Sequence, residues 1–186
     1  MIIINDIVNS KDKMLELAEM ASEDCPENFE LKEFSGRLNG YLNYYTAIHK
    51  GKIVAMAGMF QSKYWNPKLV RVLDRCYYFP EARSSGLNFI NEKELKTTAS
   101  TYFLPKQTKL ALKKGLIPFW SIYGKKRRGA LERQVKRFNS KNEFKYIVLP
   151  GQYWTCNRPM DNKGMCWQNI AVLEQYKDVF DLPKQE

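Results

Sequence analysis

The stretch that most restricts the fold is "YLNYYTAIHKGKIVAMAGMFQ", residues 41–61. Two runs rich in Tyr, Ile and Val flank "HKGK", where Gly51 can take positive φ, so the pattern predicts a β-hairpin. A polar turn, "SKYWNPK", then leads into "LVRVLDRCYYF", residues 69–79. In that run Val70, Val72 and Asp74 alternate with Leu69, Arg71, Leu73 and Arg75, and its end is fully apolar, as in a strand covered on both faces. Three consecutive strands of this kind predict an antiparallel meander, and the rest of the chain must pack on it or extend it.

The flanking segments supply helices and further strands. "MIII" reads as a first strand, and Ser10 is an N-cap for "KDKMLELAEMASED", whose Met14, Leu17, Ala18 and Ala21 recur at helical spacing. Pro26 disfavours helical geometry at Cys25 and ends that helix, while "LKEFSGRLNG" reads equally as a short helix or a loop. Beyond the meander, Asn91 and Glu94 resemble a capping box. They predict a helix with Leu95, Ala99, Tyr102 and Phe103 on one face, broken or restarted at Pro105 and stopped at Gly115. "LIPFWSIYG" is a short buried strand, and "KKRRGALERQVKRF" a helix with Leu131, Gln134, Val135 and Phe138 on one side. "FKYIVLPGQYWTCN" and "MCWQNIAVL" predict two strands joined by the turn "RPMDNKG", with a loosely docked tail after Gln175. The order predicts a mixed α+β (α/β) fold over residues 1–186 as a single domain. Its core is a twisted, mostly antiparallel sheet of six to seven strands with helices on both faces.

A chain of 186 residues, 44% hydrophobic, can bury a core without a disulfide or metal. Its four cysteines form no C-x-x-C pair and its one histidine is His49, which argues against zinc. A Cys156–Cys166 disulfide across a hairpin is open beside free thiols. No apolar run approaches the roughly 18 residues of a spanning helix, and the first residues are too short for a signal segment, so an intracellular, cytoplasmic protein without membrane contact is expected.

The charge is concentrated in one segment. Between Pro105 and Lys145 thirteen lysines and arginines face only Glu132 and Glu143, enough to account for the whole net charge of +10. Such a field favours a phosphate-bearing partner, whether nucleic acid, a phosphorylated cofactor or an acidic protein; a solvated basic face is the alternative. The aromatics Tyr64, Trp65, Trp120, Tyr153, Trp154 and Trp167 are not interleaved with it, which argues against a single-strand stacking platform.

Element order and the stretch "YYFPEARSSGLNFI" together resemble the Gcn5-related N-acetyltransferase superfamily, over roughly residues 10–173. The family's [Q/R]-x-x-G-x-[G/A] motif is similar to Arg83, Ser84, Ser85, Gly86, Leu87 and Asn88, and "RRGALERQVKRF" with Phe144 is similar to its N-x-x-A-x-x-x-Y-x-x-x-G-F region. The resemblance implies an acyl-CoA N-acyltransferase fold and transfer of an acetyl group from acetyl-CoA to a small-molecule or protein amine. It also implies that backbone N–H groups of residues 83–88 cradle the coenzyme A pyrophosphate and that Tyr78 and Phe79 offer strand-edge backbone groups to its pantetheine arm. Lys126 and Arg127 would meet its 3′-phosphate.

Acyl transfer needs a deprotonated amine and a protonated leaving thiolate. Asp74 is the candidate base, or else a salt-bridge partner of Arg71 or Arg75; Tyr123 is the candidate acid, or else a packing aromatic. A non-catalytic protein of this fold that binds nucleic acid or another macromolecule through the basic 105–145 segment is the other reading.

Overall fold

The computed structural model describes residues 4–26, 29–63, 65–84, 89–90, 96–97, 99–155 and 165–179. Among these residues ten strands and five α-helices follow in the order β1 (Ile4–Val8), α1 (Lys11–Asp24), α2 (Leu31–Arg37), β2 (Tyr41–His49), β3 (Lys52–Phe60), β4 (Leu69–Tyr78), α3 (Pro80–Ser84), β5 (Phe89–Ile90), β6 (Lys96–Thr97), α4 (Ala99–Lys113), β7 (Ile117–Tyr123), α5 (Arg128–Lys141), β8 (Tyr146–Val148), β9 (Gln152–Thr155) and β10 (Met165–Leu173). The hydrogen-bonded strand order is β1-β2-β3-β4-β7-β10-β8, with β9 also on β10 and with β5 and β6 as a separate pair. β4 and β7 run parallel; β1–β2, β2–β3, β7–β10, β10–β8 and β10–β9 are antiparallel. The mixed, mostly antiparallel sheet expected from the meander is therefore present.

The contacts divide the chain into two compact units, Met1–Gln61 with Val72–Gln107, and Ser62–Arg71 with Thr108–Glu186. In the first, the 49–52 hairpin turns on Lys50 and Gly51, both at positive φ, and β2 sends consecutive tyrosines to opposite faces. Tyr44 meets Phe34 of α2 at 5.8 Å between ring centroids, whereas Tyr45 meets Phe103 of α4. Helices thus cover both faces of this part of the sheet. Ser10 caps α1 by accepting the Lys13 N–H, and Met14, Leu17, Ala18 and Ala21 are its buried positions.

In the second unit, the parallel ladder comprises Leu69–Ile117, Val70–Pro118 and Arg71–Phe119. β10 then pairs with Phe119–Tyr123 of β7. α5 buries Leu131, Val135 and Phe138, and Phe138 packs edge-on against Tyr146 of β8.

Four expectations are corrected. The post-meander helix starts at Ala99, because Lys96 and Thr97 belong to a two-residue strand; Asn91, Glu94 and Leu95 lie outside the described residues. Pro105 sits inside α4 without ending it. Gln134 is exposed rather than on the inner face of α5. "FKYIVLPGQYWTCN" is two strands, separated at Leu149, Pro150 and Gly151, since proline cannot donate to a ladder.

Candidate functional site

β4 departs from regular geometry where the candidate base stands. Leu73 has φ 56° and Arg75 φ 48°, the left-handed region that residues with a Cβ adopt at about 1–3 kcal/mol each. Two such residues on either side of Asp74 turn backbone groups out of the ladder. α4 answers from one side: the Leu73 N–H donates to Gln107 Oε1 at 2.8 Å, and Gln107 Nε2 donates to the Ala57 carbonyl of β3 at 2.9 Å. Gln107 is completely buried, so its amide stands in for a rung that the irregular strand cannot make.

Asp74 is buried, with Arg37 as an ion-pair partner that the sequence reading did not name, and its charge also acts on Arg75. It accepts the Tyr41 hydroxyl at 2.6 Å and Arg37 Nη2 at 3.2 Å, while Glu33 pairs with Arg37 at 3.7 Å and also with Arg75. Burial alone would lower the Arg37 pKa, but Asp74, Tyr41 and Glu33 outweigh it and hold the guanidinium above its ordinary value. Burial first, then the Asp74 carboxylate, raises Tyr41, which therefore stays a neutral donor. Further along β4, burial pushes the Cys76 thiol up to about 12, which keeps it protonated and poorly nucleophilic.

The expected cofactor cradle begins differently from its sequence reading. The Phe79 N–H donates to the Val54 carbonyl at 3.0 Å and the Phe79 carbonyl accepts the Ala82 N–H at 2.9 Å, so neither group is a strand edge open to a ligand. Tyr78 ends β4 and is half-buried. Arg83 and Ser84 close the short helix α3 rather than forming loop, and Ser85, Gly86, Leu87 and Asn88 lie outside the described residues.

The second unit brings three of the expected residues to one place. Tyr123, Gly124, Lys125, Lys126 and Arg127 line a cleft of about 520 Å³ where β7 passes through a 3-10 turn into α5. Tyr123 is 54% exposed, and Lys126 and Arg127 are exposed beside it. The turn is fixed from β10: Gly124 takes φ 99° and donates its N–H to the Trp167 carbonyl, and buried Asn169 donates to the carbonyls of Ile122 at 3.2 Å and Gly124 at 2.8 Å. Lys125 Nζ lies 4.8 Å from the Trp167 ring centroid, a cation–π contact. Among the described residues no carboxylate lines this cleft, whose chemistry suits a phosphate or other anion beside an exposed phenol.

Gln107, Arg37, Tyr41 and Asn169 were missed as site builders. Gln107 and Asn169 carry a signal in retrospect, each being an amide inside an apolar run, "TYFLPKQTKLAL" and "MCWQNIAVL". Among the described residues no three His, Cys, Asp or Glu are grouped to hold a metal ion, and no helix is long and apolar enough to cross a membrane.

No protein-family model matches the chain, and no curated protein matches it. Solved structures do. A putative acetyltransferase of the GNAT family from Desulfovibrio desulfuricans superposes with a TM-score of 0.56 at 11% identity, over 92% of this chain and 98% of that one. An IAA acetyltransferase from Bacillus cereus gives 0.55 at 8% identity, over 92% and 99%. A putative acetyltransferase from Salmonella typhimurium, solved with its cofactor acetyl-CoA, gives 0.51 at 12% identity, over 92% of each chain. At such identities the likeness is one of fold: the chain has the acyl-CoA N-acyltransferase fold of the Gcn5-related N-acetyltransferases.

Proposed function

We propose that this chain is an acyl-CoA-dependent N-acyltransferase that moves an acetyl group from acetyl-CoA to an amine. The observation that carries the reading is the cleft at the end of β7, where three cations and an exposed phenol meet with no carboxylate among the described lining residues, in a fold that a structural neighbour uses with acetyl-CoA. The donor set fits a coenzyme with several phosphates. Bound acetyl-CoA would supply the acetyl group as an activated thioester.

The chain's own residues take the following parts in this reading. Lys126 and Arg127 hold phosphate charge. Backbone N–H groups of the stretch that follows α3, Ser85 to Asn88, serve the pyrophosphate, with Gly86 allowing close approach. Tyr78, at the end of β4, offers its backbone to the pantetheine arm, and Tyr123 Oη is the proton donor. Asp74 anchors: paired with the buried Arg37 guanidinium, it fixes β4 beside the turned residues Leu73 and Arg75.

A thermal shift with acetyl-CoA tests this. Saturation at about 100 times Kd should stabilise the chain by about 2.7 kcal/mol, and Gly86→Glu should remove the shift. A wild-type chain that shows no shift at millimolar acetyl-CoA would overturn the assignment.

A further inference from the structure

The outer face of α5 is strongly basic. The segment Lys125–Lys141 contains eight cations and one acid, Glu132. That acid is committed to Arg128, at 2.8 Å, and Arg128 also donates to the Leu149 carbonyl at 2.8 Å. The single carboxylate therefore neutralises the half-buried arginine and leaves the outward ones alone. Arg133, Lys136 and Arg137 are exposed, and among the described residues no ion pair is formed by any of them. Arg133 and Arg137 stand four residues apart, one above the other, a like-charge spacing that weakens a helix by itself. With Lys126 and Arg127 at its start, this stripe runs along about 20 Å of helix at 1.5 Å per residue.

We propose that this face binds duplex nucleic acid through its phosphate backbone. The chemistry selects among polyanions. Leu131, Val135 and Phe138 are buried against the chain's own core, so α5 has no apolar face left to enter a lipid surface. Between the outward cations of α5 itself stand Ala130, Gln134 and Ser140, and within the helix no exposed aromatic or large aliphatic forms the core of a protein interface; the lone exposed ring of Tyr123 lies before its start. The same lack removes the stacking platform that unpaired bases need. What remains is a line of point charges, which matches a regular phosphate array and reads no sequence. This inference stands whether or not the chain binds acetyl-CoA.

The test is fluorescence anisotropy of the full chain with a labelled DNA duplex and an RNA duplex of the same sequence, about 25 base pairs long, between about 50 and 200 mM salt. Binding should fall with a log–log salt slope of about −3 to −5, as expected for four or five phosphate contacts. The double change Arg133→Glu and Arg137→Glu should weaken it at least about tenfold at the low-salt end, with an unchanged melting temperature. Lys13→Glu with Lys32→Glu, two exposed lysines of the other unit, makes the same change in net charge and should leave affinity within about twofold. Preference for one duplex identifies which polymer supplies the phosphates. The proposal is overturned if neither duplex binds, if the control pair weakens binding as much as the α5 pair, or if only anionic phospholipid vesicles are bound.

Discussion

β4 and α5 are both rich in charge, and they treat it in opposite ways. Around β4, Arg37, Asp74, Glu33 and Arg75 are turned inward and every one is paired. Along α5, Arg133, Lys136 and Arg137 are turned outward, and among the described residues none of them forms an ion pair. Desolvation explains the contrast: an ion removed from water must be matched within the fold, whereas an exposed one needs no partner to be stable and stays available to a ligand. Inward charge here shapes a strand; outward charge advertises a surface.

The contrast is sharpest at Asp74. Asp74→Asn keeps the volume but leaves the Arg37 guanidinium buried against a neutral amide, and urea unfolding should show a loss of about 3–5 kcal/mol. A loss below about 1 kcal/mol, the scale of surface pairs, would mean that the pair behaves as if exposed. Gln107→Leu comes next. It orphans the Leu73 N–H and the Ala57 carbonyl, each worth about 1–3 kcal/mol when buried, and should also raise hydrogen exchange at Leu73.

Alkaline pH probes the buried side without a mutation. Burial raises Tyr41, Tyr44 and Tyr146 above the ordinary tyrosine value and Cys76 from 9.0 to about 12. An acid whose folded pKa is raised contributes its full stability below its unfolded pKa and loses it as pH rises toward the folded value. Unfolding free energy should therefore hold steady up to pH about 9 and fall above it, and Cys76→Val should delay the onset to about 10, where tyrosines of the unfolded chain ionise. The smallest effect belongs to the outward side: Arg133→Glu and Arg137→Glu should each change stability by no more than about 0.5 kcal/mol.

How far the sequence could be read follows the range of the interactions. The 49–52 hairpin and the Ser10 cap are set by residues within three or four positions of one another, and both were legible. The helix start was not: Asn91 and Glu94 read in sequence as a capping box and Pro105 as a break, whereas α4 begins at Ala99 and runs through Pro105. The break in "FKYIVLPGQYWTCN" has a distant component: a Cβ on Gly151 would come within 2.8 Å of the Trp167 ring, sixteen positions away. Asp74 was recognised as a residue of interest, but its partners Arg37 and Tyr41 lie more than thirty positions before it, and no local pattern points to them. Tyr123, Lys126 and Arg127 could be gathered from sequence because a single turn holds them; the Asn169 clamp beneath that turn could not.

The most direct test of the central claim is calorimetric titration with coenzyme A and with its 3′-dephospho form, on the wild-type chain and on Lys126→Glu with Arg127→Glu. Wild type should bind coenzyme A at least about tenfold more tightly, near 1.4 kcal/mol, than the dephospho form, and the variant should lose this difference while still melting cooperatively. Equal affinity of the wild type for both forms, or no heat with either, would contradict that claim.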